Sequence, residues 1–167
     1  MKRIIVIGCG GAGKSTFSRK LSEKLNIPVY HLDKFFWNKG WVSTPKDKFN
    51  SKIEELVNKE EWIIDGNYIR TLEVRAKKSD TIIFINMPTY LCLYRIIKRR
   101  FMYKGKSRPD MAEGCPEGID FEFFKWVFTY NKKIRPQILD KLNIYNDKNI
   151  IILNGKKEVK NFIENRL

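Results

Sequence analysis

The chain predicts an α/β fold, a three-layer α/β/α domain on a five-stranded parallel sheet, and three observations carry that expectation. Strand-like apolar runs recur five times, over Ile4–Ile7, Val29–Asp33, Trp62–Gly66, Thr81–Asn86 and Asn149–Leu153. They are continuous instead of alternating, as in strands covered on both faces, and segments of helical spacing separate them. At 167 residues the chain can bury one good core and is too short for two ordinary domains, so 1–167 is read as a single domain.

The first run ends on Gly8-Cys9-Gly10-Gly11-Ala12-Gly13-Lys14-Ser15, which fits G-x-x-x-x-G-K-[ST] at every fixed position. Backbone N–H groups wrap a phosphate only where side chains stay clear, hence Gly8, Gly10, Gly11 and Gly13. Phe17, Leu21 and Leu25 follow at helical spacing, so a helix begins at the end of the loop and adds its partial positive charge. The segment Gly8 to Thr16 is therefore expected to bind a nucleoside triphosphate, ATP. Lys14 would reach the β and γ phosphates, and the Ser15 hydroxyl would ligate Mg²⁺. The domain is read as a P-loop NTPase.

Asn26-Ile27-Pro28 stops that helix, and the second strand closes on the carboxylate of Asp33. Lys34 to Trp41 reads as an aromatic loop. Thr44 is expected to cap the next helix, with Pro45 in its first turn, Asp47 three positions after the cap, and Phe49, Ile53, Leu56 and Val57 as its apolar stripe. The third strand ends on Asp65, and a short helix over Thr71–Lys77 leads to the fourth. Pro88 opens a helix through about Arg100. Residues 103–119 hold Gly105, Pro109, Gly114, Pro116 and Gly118, a composition that resists regular structure, and a lid is expected over about 101–120. One long helix over Asp120–Leu142, the last strand and a helix over Lys156–Asn165 complete the chain.

The formal net charge is +14. Between Asp80 and Asp110 there is no acid, while Arg95, Lys98, Arg99, Arg100, Lys104, Lys106 and Arg108 supply seven cations, enough to neutralise nucleotide phosphates or nucleic acid. Cys9, Cys92 and Cys115 form no C-x-x-C pair, and with His31 the sole histidine no zinc site assembles. With no leader and no long apolar run, a cytoplasmic protein without a membrane partner is expected.

Ligands of such folds sit at the carboxyl ends of the strands, which places the phosphate loop, Asp33 and Asp65 along one rim. Asp65 is expected to hold Mg²⁺ directly or through water. Arg95 and Arg99, four apart on a helix, face one way and would meet the transferring phosphoryl with Lys14 as the catalytic set. Arg135 is a weaker candidate for the same cluster. Asp33, Phe35, Phe36, Trp37 and Trp41 line an acceptor pocket or plug the core beneath the next helix, and the sequence leaves both readings open.

With these residues in hand the chain resembles the nucleoside monophosphate kinase-like P-loop proteins over nearly its whole length. Tyr94-Arg95-Ile96-Ile97-Lys98-Arg99-Arg100 is similar to the adenylate kinase segment that enters the lid. Asp65-Gly66-Asn67-Tyr68-Ile69-Arg70 is similar to that family's Asp-Gly-Phe-Pro-Arg, without the proline and with Arg70 one residue late, and Leu153-Asn154-Gly155-Lys156 resembles its adenine loop. The acceptor side departs, since His31-Leu32-Asp33-Lys34-Phe35-Phe36-Trp37 stands where adenylate kinases have Thr-Gly-Asp. That stretch, with Gly40-Trp41 and Trp62 to Tyr68, looks closest to the adenylate kinase-related proteins called DNA topology modulation proteins. The expected activity is Mg²⁺-dependent transfer of the ATP γ-phosphoryl to a small acceptor, a nucleotide or a hydroxyl metabolite, with Asp33 as base in the second case. The alternatives are a nucleic-acid-binding protein with a regulatory ATP site and a catalytically silent nucleotide sensor.

Overall fold

A computed structural model describes residues 1–118 and 120–165; position 119, inside the expected lid, lies outside the described residues. In chain order the elements are β1 (Arg3–Gly8), α1 (Lys14–Leu25), β2 (Val29–His31), α2 (Leu32–Phe36), β3 (Trp37–Asn38), β4 (Val42–Ser43), α3 (Lys46–Val57), β5 (Trp62–Asp65), α4 (Ile69–Lys78), β6 (Thr81–Asn86), α5 (Thr89–Met102), α6 (Phe121–Lys133), α7 (Arg135–Asn143), β7 (Asn149–Asn154) and α8 (Gly155–Asn165). The five expected strands form one parallel sheet in the order β2-β5-β1-β6-β7. The fold class read from the sequence is thus observed.

β1 lies at the centre of the sheet, and Ile4, Ile5, Val6 and Ile7 are buried on both faces, each worth about 1.5–3 kcal/mol over exposure. Its entry is fixed by Asp80, whose carboxylate accepts the N–H groups of Lys2 at 2.9 Å and Arg3 at 2.8 Å. β7 is an edge strand, and the run that reads as doubly covered leaves Ile152 exposed.

Four local expectations change. The second strand stops at His31, and Asp33 sits in the first turn of α2 instead of at a strand end. The remainder of the aromatic loop becomes a two-stranded antiparallel hairpin, β3 with β4. Its turn puts Gly40 at φ 75° and Trp41 at φ 63°, a left-handed conformation that costs a bulky residue energy. The Trp41 indole N–H, donated to the Pro116 carbonyl at 3.1 Å, helps hold it. Thr44 caps nothing: its hydroxyl donates to the Phe35 carbonyl at 2.9 Å, and α3 starts at Lys46 without a side-chain cap. The single helix expected over 120–142 is two, because Pro136 has no N–H to continue the ladder and stands in the first turn of α7, after a break at Ile134.

Candidate active site

The phosphate loop joins the end of β1 to α1, and its glycines are required where the chain passes closest to neighbours. A Cβ on Gly8 would lie 2.5 Å from the Ile85 carbonyl oxygen, and one on Gly11, where φ is +76°, would lie 2.4 Å from that of Cys92. The Gly8 N–H donates to the Asn67 side-chain oxygen at 3.0 Å, and the Ala12 N–H to the Cys9 carbonyl at 3.1 Å. No side chain caps the start of α1, so the amides of its first turn remain free for an anion. Lys14 folds back and donates Nζ to the Cys9 carbonyl at 3.0 Å. The buried Cys9 thiol is pushed well above its ordinary range by its hydrogen bond with Cys92 and by burial, so it stays protonated and unreactive.

Arg95 does not extend a free guanidinium from α5. Its Nη1 donates to the Ala12 carbonyl at 2.8 Å and the Gly11 carbonyl at 3.3 Å, bracing the loop through its main chain. Arg99, one turn on, is separated from it and joins the segment expected as a lid. There Arg99 Nε lies 3.1 Å from Glu117 Oε1, Arg108 Nε meets the same oxygen, and Arg108 Nη1 lies 3.0 Å from Asp110 Oδ2. Burial works to raise Asp110, but the Arg108 guanidinium and the Ser15 hydroxyl outweigh it and hold the carboxyl below its usual value. The segment thus reaches back to the phosphate loop at Ser15.

Asp65, at the end of β5, is buried, and its Oδ2 lies 3.0 Å from His31 Nδ1 at the end of β2. Among the described residues no group of three or more His, Cys, Asp or Glu side chains could hold a metal by itself. The donor set suits a nucleotide-bound Mg²⁺ nonetheless: Ser15 supplies a hydroxyl, Asp110 stands beside it, and phosphates and water would complete a hard oxygen shell.

On the acceptor side the Tyr68 hydroxyl donates to Asp33 Oδ1 at 2.7 Å. Burial, then the charge of Asp33, pushes the phenol far up, so it remains a donor. Tyr68 also lines a cavity of about 340 Å³ with Phe36, Ser43, Thr44, Lys46, Phe49 and Arg70. Phe36 and Phe49 wall this cavity, whereas Trp37 packs on Phe36 and Trp41 in the hairpin, outside the cavity lining. Arg70 lines the cavity, its only hydrogen bond among the described residues a long one of 3.5 Å to Asn50. Arg135 begins α7, and its Nε is buried without a hydrogen-bond partner among the described residues.

Several residues escape sequence reasoning. Arg75 is fully buried and donates to the carbonyls of Gly66 at 3.0 Å, Tyr68 at 2.9 Å and Thr71 at 3.3 Å, fixing the turn that carries Tyr68. Burial pushes its guanidinium down to about 10, against the opposing pull of Asp65. Nothing in the spacing of α4 distinguishes Arg75 from a solvated lysine. Asp110 and Glu117 did leave a signal, as the acids that follow a long acid-free basic stretch.

No protein-family model matches the chain. It is 30% identical to a shikimate kinase of Leptospira biflexa serovar Patoc over 137 residues, spanning 68% of this chain and 74% of that protein. It is 24% identical to the shikimate kinase of Azobacteroides pseudotrichonymphae across 99% of this chain and 97% of the relative. Among solved structures, the shikimate kinase of Aquifex aeolicus superposes with a TM-score of 0.55 at 21% identity, over 97% of this chain and 92% of that one. That of Bacteroides thetaiotaomicron gives 0.56 at 16% identity, over 98% and 94%. These relatives support the P-loop kinase fold and lend no support to the narrower resemblance to DNA topology modulation proteins, nor to nucleic acid as a partner.

Proposed function

The chain belongs to the shikimate kinase family and is an ATP-dependent kinase, and from that premise we propose that it transfers the γ-phosphoryl of ATP to a hydroxyl of shikimate. The observation that carries the acceptor reading is the Tyr68–Asp33 hydrogen bond at the edge of the cavity. The phenol that holds this carboxylate also lines a space with aromatic walls, hydroxyls at Ser43 and Thr44, and cations at Lys46 and Arg70. Such a lining suits a compact ring bearing hydroxyls and one carboxylate. A second phosphate-bearing nucleotide would call for more cations than these two.

In this reading the phosphate-loop amides and Lys14 hold the β and γ phosphates, and Arg95 keeps the loop in shape by its hold on Gly11 and Ala12. Ser15 would be the protein ligand of Mg²⁺, with Asp110 beside it, while Asp65 is paired with His31. An ion held there would supply positive charge against the phosphate oxygens. Asp33 takes the proton from the attacking hydroxyl on the oxygen that Tyr68 leaves free. A bond forms between the acceptor oxygen and the γ phosphorus while the β–γ bridging bond breaks, and the charge on the equatorial oxygens falls to Lys14 and Arg99.

The basic stretch that raised the nucleic-acid alternative is partly accounted for within the protein, because Arg99 and Arg108 are paired with Glu117 and Arg95 with the loop. The test is a phosphotransfer assay with ATP, Mg²⁺ and shikimate beside a panel of hydroxylated carboxylates, sugars and nucleoside monophosphates. A phosphorylated product from shikimate with stoichiometric ADP is the expected outcome. Transfer to a nucleotide in preference, or to nothing in the panel, would remove the acceptor assignment.

A further inference from the structure

Glu117 lies in the Pro- and Gly-rich segment after α5, yet its side chain is only 4% exposed. Its Oε1 forms ion pairs with Arg99, at 3.1 Å from Nε, and with Arg108 Nε, and its main-chain carbonyl accepts Arg100 Nη1 at 2.5 Å. Its own N–H donates to the Lys106 carbonyl at 3.2 Å, tying the two ends of the segment together. Burial and the adjacent Arg108 push the Arg99 guanidinium below its ordinary value, and Glu117 acts against both. One carboxylate oxygen thus keeps two like charges side by side.

The two guanidinium groups use the same edge for this purpose. Arg99 meets Glu117 through Nε, and its Nη atoms have no protein partner among the described residues. Arg108 turns its Nε edge to Glu117 in an ion pair and donates Nη1 to Asp110, which leaves Nη2. A guanidinium binds phosphate oxygens as a planar fork, so fixing it by Nε leaves donors free for an anion and removes freedom that binding would otherwise cost.

We propose that Glu117 is a positioning residue for phosphoryl transfer, its carboxylate holding Arg99 and Arg108 by their Nε edges so that their remaining Nη donors are preorganised for the transferring phosphoryl. This rests on the reading of the chain as an ATP-dependent phosphotransferase. A carboxylate that instead occupied the place of a phosphate would have to leave before ATP bound, and its removal would have the opposite effect on activity.

Glu117→Gln and Glu117→Asp in the full chain separate these roles. For Glu117→Gln, kcat should fall on the order of 10²-fold, the cost of arginines misplaced by about an ångström, with the KM for acceptor and the Kd for ADP within about threefold of the wild type. Glu117→Asp, which keeps the charge, should recover most of that loss. Unchanged kcat, a rise in turnover or ATP affinity, or a loss matched by loss of folded protein in circular dichroism would overturn the proposal. ADP release is followed with and without shikimate. A wild type that hydrolyses ATP without phosphorylating shikimate removes the acceptor assignment alone, and Glu117 is then judged on hydrolysis; a wild type inert toward ATP sinks both.

Discussion

Tyr68 and Asp33 illustrate how much a single contact decides. The phenol donates to one carboxylate oxygen at 2.7 Å and cannot lose its proton near neutral pH, so Asp33 keeps one oxygen occupied and one available. Asp33→Asn should lower kcat roughly 10²- to 10⁴-fold while ADP binding is retained, as measured by steady-state kinetics beside calorimetric titration with ADP. An unchanged kcat would remove Asp33 as the base. Gly11 is bound by geometry instead of chemistry: Gly11→Ala combines a left-handed backbone with a methyl 2.4 Å from the Cys92 carbonyl oxygen. It should cost about 1–3 kcal/mol in urea unfolding and weaken nucleotide binding, because loop and α5 must part to admit it. Wild-type stability and ADP affinity in that variant would contradict the packing described. At this scale the phosphate loop was legible because its chemistry demands fixed residue types at fixed spacing. The role of Arg75 was not, because burial of one arginine among several on α4 depends on what the turn at Gly66–Tyr68 packs against.

Elements are legible in the sequence where period and punctuation agree. β6 and α1 stand where apolar runs and helical spacing put them, whereas Pro136 lies inside a long helical pattern and divides it. The hairpin of β3 and β4 had no clear mark, since Trp37, Trp41 and Val42 look like any aromatic loop until hydrogen bonds tie the turn to the segment of 103–118. That segment was legible as irregular from its glycines and prolines, while its internal ion pairs depend on a fold that composition does not encode. They make its stability depend on pH. Asp110 is held below its ordinary value, so what it contributes is present above the unfolded value of about 3.9 and is lost as pH falls through the folded one. The gap in unfolding free energy between wild type and Asp110→Asn should therefore be steady near neutrality and close below about pH 4, in urea titrations at stepped pH. A gap that persists at the lowest pH would assign the contribution to packing.

The molecule as a whole is organised by a rim along the strand ends, with loop and α5 on one side and α2, hairpin and cavity on the other. No helix among the described residues is long and apolar enough to cross a membrane. Between the two sides runs a bridge of three contacts: the Gly40 N–H donates to the Gly114 carbonyl at 2.8 Å, the Trp41 indole to the Pro116 carbonyl at 3.1 Å, and the Cys115 thiol to the Asn38 carbonyl at 3.1 Å. The hairpin next to the acceptor cavity and the segment that reaches Ser15 are thereby fastened to each other. Saturating ADP should then strengthen acceptor binding roughly fivefold or more, and acceptor should strengthen ADP binding by the same factor. Trp41→Phe, which removes the indole donor, should shrink both factors together in paired titrations, and independent binding in the wild type would break the link. A kinase fastened in this way has one door for two guests. A substitution at the hairpin tip, distant in sequence from the phosphate loop, should therefore register as a change in the rate of nucleotide exchange, read by stopped-flow release of a fluorescent ADP.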